Sequence, residues 1–168
     1  MTVTAVRKDP HALTTTIEAE FDAPVERIWQ LWADPRQLER WWGPPTYPAT
    51  FTKHDLAPGS RVEYHMTGLE GDQHHGYWDV IEVEAPHRLV VSDGFANADG
   101  TPNSDLPPGT MYVRIEEIGH GRTRMSIESS FASTEAMEQL LAMGTLEGQT
   151  QAVGQIDAIL AEDVVARH

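Results

Sequence analysis

Two aspartates stand among residues otherwise suited to packing: Asp79 in "HHGYWDVIEVE" and Asp93 in "RLVVSDGF". Both interrupt β-branched and aromatic runs that read as half-buried strands. An unpaired carboxylate costs several kcal/mol to bury. Each acid therefore sits at a sheet edge in water or contacts something. If the turn at Ala85-Pro86-His87 spans three residues, positions 79 and 93 fall directly opposite on neighbouring strands. Cross-strand partners stand about 4.5–5.5 Å apart at Cβ. Two carboxyls that close cannot both ionise cheaply, and the protonated one could donate a hydrogen bond or act as a general acid.

Other chemistries have weaker support. His65, His74 and His75 could chelate a metal across adjacent strands, but no supporting acid pattern accompanies them, so surface histidines and no metal are expected. Cysteine is absent, which removes disulfides, thiolate nucleophiles and zinc-thiolate sites. No GxSxG, GxGxxG or P-loop motif occurs, and no cofactor is expected. The segment "DGFANADGTPN" lacks calcium-loop spacing and reads as a flap over the sheet mouth.

The 168 residues suffice for one domain with a sizeable core. A formal charge of -14 disfavours nucleic acid and anionic lipid surfaces. No apolar run is long enough to span a bilayer, and the N-terminal residues lack a signal-peptide apolar core. A cytoplasmic home is the expectation.

The elements that must position the acids follow from periodicity. Residues 1–11 read as a flexible lead-in, and 12–164 as a single domain. "ALTTTIEAEF" alternates as a strand. In "PVERIWQLWADP", Val25, Ile28, Trp29 and Trp32 form one apolar helix face, and Asp34-Pro35 opens a second short helix ending at Gly43-Pro44-Pro45. Strands are expected near 47–56, 60–68, 74–85, 88–96, 110–118 and 122–131. Ser133 or Thr134 then caps a helix of roughly 30 residues. The class is α+β: a curved seven-stranded antiparallel sheet, one face covered by the C-terminal helix, with two short helices after the first strand.

Alternation assigns faces. Val62, Tyr64 and Met66 point inward, as do Tyr77, Asp79, Ile81 and Val83. Leu89, Val91, Asp93 and Phe95 follow, then Met111, Val113, Ile115, Met125, Ile127 and Ser129. Because Trp78 and Val80 lie on the other face, a bulge in that strand would reverse its parity. On the helix, Gly144 and Gly148 share a face with Leu140, which permits close packing or an internal space.

These residues carry a resemblance. Phe21, Ala23, Pro24, Ile28, Trp29, Asp34, Pro35 and the Trp41-Trp42-Gly43-Pro44 corner resemble the opening of the SRPBCC (START-like) superfamily. More narrowly the chain looks like the family named after the activator of the heat-shock-protein-ninety ATPase. "LAPGSRVEYHM", "EVEAPHRLVVSDGF" and "GQTQAVGQIDAIL" extend the likeness over about residues 12–162. It implies a helix-grip fold, with the two tryptophans as a packing corner of which one edges into a cavity. With the inner surface read from alternation, it favours a small, mostly apolar ligand between sheet and helix, and the face assignments make Trp42, Tyr64, Met66, Tyr77, Asp79, Asp93, Phe95, Met111, Val113, Met125, Ile127, Leu140, Gly144 and Gly148 the candidate binding residues. A co-chaperone-like protein-interaction module and a cyclase- or hydrolase-type enzyme using Asp79 and Asp93 are the alternatives. The expected state is monomer or homodimer.

Overall fold

The computed structural model describes residues 3–166. The strands are β1 (Val3–Asp9), β2 (Thr14–Phe21), β3 (Ala49–Lys53), β4 (Arg61–Thr67), β5 (Gln73–Glu84), β6 (Arg88–Ala96), β7 (Gly109–Gly119) and β8 (Arg122–Ser130). Helices α1 (Val25–Ala33) and α2 (Pro35–Leu38) follow β2. The chain ends in α3 (Thr134–Ala142), α4 (Thr145–Gly154) and α5 (Ile156–Ala166). The strands make one antiparallel sheet in the order β1-β2-β8-β7-β6-β5-β4-β3.

The sheet has eight strands where seven were expected. The extra one, β1, lies in the segment read as a flexible lead-in. It pairs along β2, with Val6 opposite Ile17, and Arg7 reaches the Glu18 carboxylate at 2.8 Å. Its outer residues are largely exposed, so the strand depends on its neighbour's unpaired edge rather than on burial of its own. That is why hydrophobic alternation did not reveal it.

The long C-terminal helix is stepped rather than continuous. The Ser133 hydroxyl caps α3 by accepting from the Ala136 amide at 3.1 Å. Nine residues later the helix stops, because Gly144 adopts a left-handed conformation at φ 81°. Glycine reaches that region without the Cβ clash other residues suffer, which makes it the usual helix terminator. The step between α4 and α5 is milder: Gln155 keeps right-handed helical angles.

Four indoles join the helices to the sheet. Trp32 of α1 lies 4.8 Å from Trp41 and 5.7 Å from Trp42 between ring centroids, and Trp42 stands 4.9 Å from Trp78 of β5. The contacts are mostly edge-to-face, the arrangement the ring quadrupoles favour. The Trp41 indole N–H donates to the Leu31 carbonyl at 2.9 Å, and the Trp32 N–H to the Met125 sulfur at 3.3 Å. Gly43 then lets the chain turn back: a Cβ there would lie 2.1 Å from the Tyr47 carbonyl oxygen. From the C-terminal helix, the Gln155 amide donates to the carbonyls of Gly43 and Trp41 at 2.7 and 3.3 Å. The tryptophan pair is thus a packing corner tied to both helices and sheet.

This corner makes a stability prediction. Trp42→Ala should lose about 3–5 kcal/mol in urea melts, the range for deleting a buried aromatic. A loss below about 1 kcal/mol would mean that the ring covers the cavity without supporting the core.

Candidate functional site

The β5–β6 hairpin decides where the two aspartates go. Glu84 pairs with Arg88, so the turn does span three residues. The register then slips between Val80 and Glu82, where Ile81 bulges out and is exposed. Beyond the bulge, Asp79 faces Ser92 and Asp93 faces Trp78. One extra residue moves every earlier side chain of β5 to the opposite face. Trp78 and Val80 enter the core, and the expected inward positions of Tyr77, Asp79 and Ile81 are corrected to the outer face.

On that outer face Asp79 is satisfied. Arg61, its register partner on β4, grips it with two hydrogen bonds of 2.8 and 3.0 Å. The guanidinium also lies 4.7 Å from the Tyr77 ring centroid. Tyr77 is buried under this pair and over Gly94, whose missing Cβ leaves room for the ring. The paired-carboxylate arrangement does not form, and with it goes the acid–base couple on which the enzyme alternative rested.

Asp93 points the other way, into a cavity of about 420 Å³ between the sheet and α3–α4. Of the expected binding residues, Trp42, Tyr64, Met66, Asp93, Phe95, Met111, Leu140, Gly144 and Gly148 line this space. Val113, Met125 and Ile127 are buried in the core and do not reach it. Sequence reasoning missed Tyr47, Phe131, Met143 and Gln149. Gln149 follows Gly148 and was findable from the helix face; Tyr47 and Phe131 stand at the ends of the expected strands 47–56 and 122–131, beyond the observed β3 and β8, and were assigned no face. Gly148 opens the space directly, because a Cβ there would meet only Pro44, at 4.0 Å. Pro107, between β6 and β7 and beyond the segment read as a flap, contributes to the wall.

The electrostatics are one-sided. Among the described residues, no lysine or arginine lines the cavity. Asp93 is half-buried, and what remains of its surface opens into this space. Burial pushes its carboxyl up to about 7. Nearby, burial raises the Tyr64 phenol and the Asp93 charge raises it further. The buried indole N–H groups of Trp42 and Trp78 lack a well-formed hydrogen bond, yet approach the Tyr64 oxygen closely enough to oppose that rise. His74 sits at the mouth, 3.2 Å from the Asp72 carboxylate. His65 and His75 face each other across β4 and β5, ring centroids 5.6 Å apart. Among the described residues no cluster of three or more histidines and acids could hold a metal ion.

A curved antiparallel sheet gripping a long C-terminal helix, with an apolar chamber between them, defines a helix-grip α+β protein. The family described as "Activator of Hsp90 ATPase homolog 1-like protein" matches residues 22–161, and the chain belongs to that family, within the SRPBCC superfamily. It is 51% identical to protein Ms6760 from Mycobacterium smegmatis, whose crystal structure it matches with a TM-score of 0.87 over 94% of this chain and 96% of that one. A solution structure of a protein from Arthrobacter aurescens is 48% identical, TM-score 0.92, over 96% and 93% of the two chains. The AHSA1 protein from Silicibacter pomeroyi, 20% identical with a TM-score of 0.71 over 89% and 99%, shares the fold. No curated protein matches. Among the described residues no helix is long and apolar enough to cross a membrane.

The Asp93 environment yields a pH prediction. Its folded pKa, about 7, lies above the value near 3.8 of a free aspartate. The folded protein therefore holds a proton the unfolded chain has released, and this contribution is lost as pH rises through 7. Asp93→Asn removes the loss. The variant's stability advantage over wild type should widen by about 1–2 kcal/mol between about pH 5.5 and pH 8 in urea melts, allowing for cavity water that screens the charge. Parallel stability curves for the two proteins would contradict this.

Proposed function

We propose that the protein binds a small, mostly apolar molecule in the chamber between its sheet and α3–α4. The observation that carries this reading is the cavity itself: a space of about 420 Å³ in a protein whose neighbouring core residues are fully buried. The space opens at its mouth, and its volume falls in the range of about 300–1,000 Å³ typical of small-molecule clefts lined mainly by apolar and aromatic side chains. Three methionines, Met66, Met111 and Met143, supply pliable wall that adapts to irregular shapes. Gly144 ends α3 at the cavity and Gly148 withholds a side chain from it, so two of the helix's weakest positions maintain the opening. The family's description names a chaperone-ATPase activator, and a protein-contact role rests on that description alone.

Filling the chamber tests the proposal. Gly148→Leu places a branched side chain where only Pro44 stands within reach. It should abolish uptake of a neutral, environment-sensitive apolar dye while leaving the fold intact. Replacing a helical glycine should itself add up to about 1 kcal/mol of stability. Unchanged dye uptake would put the binding site elsewhere, and unfolding would mean that the helix packs too tightly for a pocket.

A further inference from the structure

Resting on that reading, we infer that the chamber selects lipophilic amines, held as ammonium cations by the Asp93 carboxylate and the aromatic side chains around it. Asp93 makes no hydrogen bond or ion pair with any described residue, unlike Asp79, which Arg61 satisfies. Among the described residues it is the only acid lining the cavity, and no lysine or arginine lines the cavity to offset it. Two phenols feel its charge: Tyr64 on β4, which shares the cavity with it, and Tyr77 on β5, which lies on the outer face of the sheet. His74 stands at the mouth and is engaged with Asp72. Helix α4 contributes Thr145, Leu146, Gly148 and the neutral amide of Gln149 to this space, none of them charged.

Each class of ligand meets this environment differently. A fatty acid or other lipophilic anion would carry its charge toward a carboxylate with no lysine or arginine to receive it. At pH 8, where the carboxyl is mostly ionised, a neutral alcohol or ketone would gain one ordinary hydrogen bond and leave that charge unanswered. An alkylamine is protonated up to about pH 10, as lysine is, and brings both the missing charge and the missing donors. Trp42, Tyr64, Phe95 and Phe131 supply ring faces and edges in the same space, and cations are attracted to aromatic faces. The net charge of -14 favours entry of cations over anions from solution.

The test uses phenylbutylamine, phenylbutanol and phenylbutanoate, which share one apolar body and differ in the terminal group. Binding is followed at pH 8 by calorimetry and by fluorescence of the indole cluster. The amine should bind about 10–100-fold tighter than the alcohol, the span expected for a charge-assisted hydrogen bond in a desolvated site, and the butanoate weakest of all. Asp93→Asn should bring the amine within about 2-fold of the alcohol without weakening the alcohol, while Asp79→Asn leaves all three unchanged. Equal affinity for amine and alcohol in the wild type, or an amine preference that survives Asp93→Asn, overturns the inference and leaves the chamber as a neutral apolar site. Failure of all three compounds and of the neutral dye would defeat the binding reading itself, and this inference with it.

Discussion

Indole packing holds this molecule together. Helix α2 is only four residues long, too short to persist by its own hydrogen bonds. It stays in place because Trp41 and Trp42 at its end interlock with Trp32 of α1 and Trp78 of β5. Each such ring buries about 150–250 Å² and gains about 0.5–1.5 kcal/mol per aromatic pair beyond that area. The cluster closes one end of the sheet, and its Trp42 edge forms part of the chamber wall. Core and site therefore share a side chain. The cost is visible in the two buried indole N–H groups directed at Tyr64 without well-formed hydrogen bonds.

The bulge at Ile81 then determines the chemistry of the site. A regular hairpin would have set Asp79 and Asp93 side by side on the inner face. The slipped register sends them to opposite faces. Asp79 lands beside Arg61, where an exposed bidentate pair contributes little to stability but leaves no charge unanswered. Asp93 faces the apolar chamber with no partner, and its neutral form is favoured there. One residue of register converts a candidate catalytic couple into a structural ion pair and a solitary acid.

Much of this was legible before any coordinates. The tryptophan corner was implied by the family resemblance, while the inward faces of β4, β6, β7 and β8 and a cap at Ser133 or Thr134 follow from local rules that tertiary packing did not override; the three-residue turn at Pro86 was a condition that the structure meets. What escaped was set by interactions of longer range. Strand β1 has no buried stripe and exists because β2 offers it an edge. The β5 bulge could be suspected from Trp78 and Val80 lying opposite Ile81 and Val83, but only the neighbouring strand decides which pair goes inside. The helix break at Gly144 looked like one more tolerated helical glycine; its left-handed conformation depends on where α4 must lie over the sheet. Nine of the fourteen candidate site residues line the chamber; of the five exceptions, Tyr77 and Asp79 share the bulged strand, and Val113, Met125 and Ile127 point inward but are covered by the core.

The proposed ligand site is the chamber rather than an outer surface. The methionines report on this separately: Met66, Met111 and Met143 line the space, whereas Met125 and Met137 are buried away from it. The direct measurement is a titration of methyl-carbon-labelled methionine protein with a neutral apolar probe, followed by NMR. Binding in the chamber predicts saturable shifts of the Met66, Met111 and Met143 methyl signals, with Met125 and Met137 nearly still. Shifts confined to Met143, whose side chain is exposed at the helix step, or no saturable shifts at all, would contradict the account.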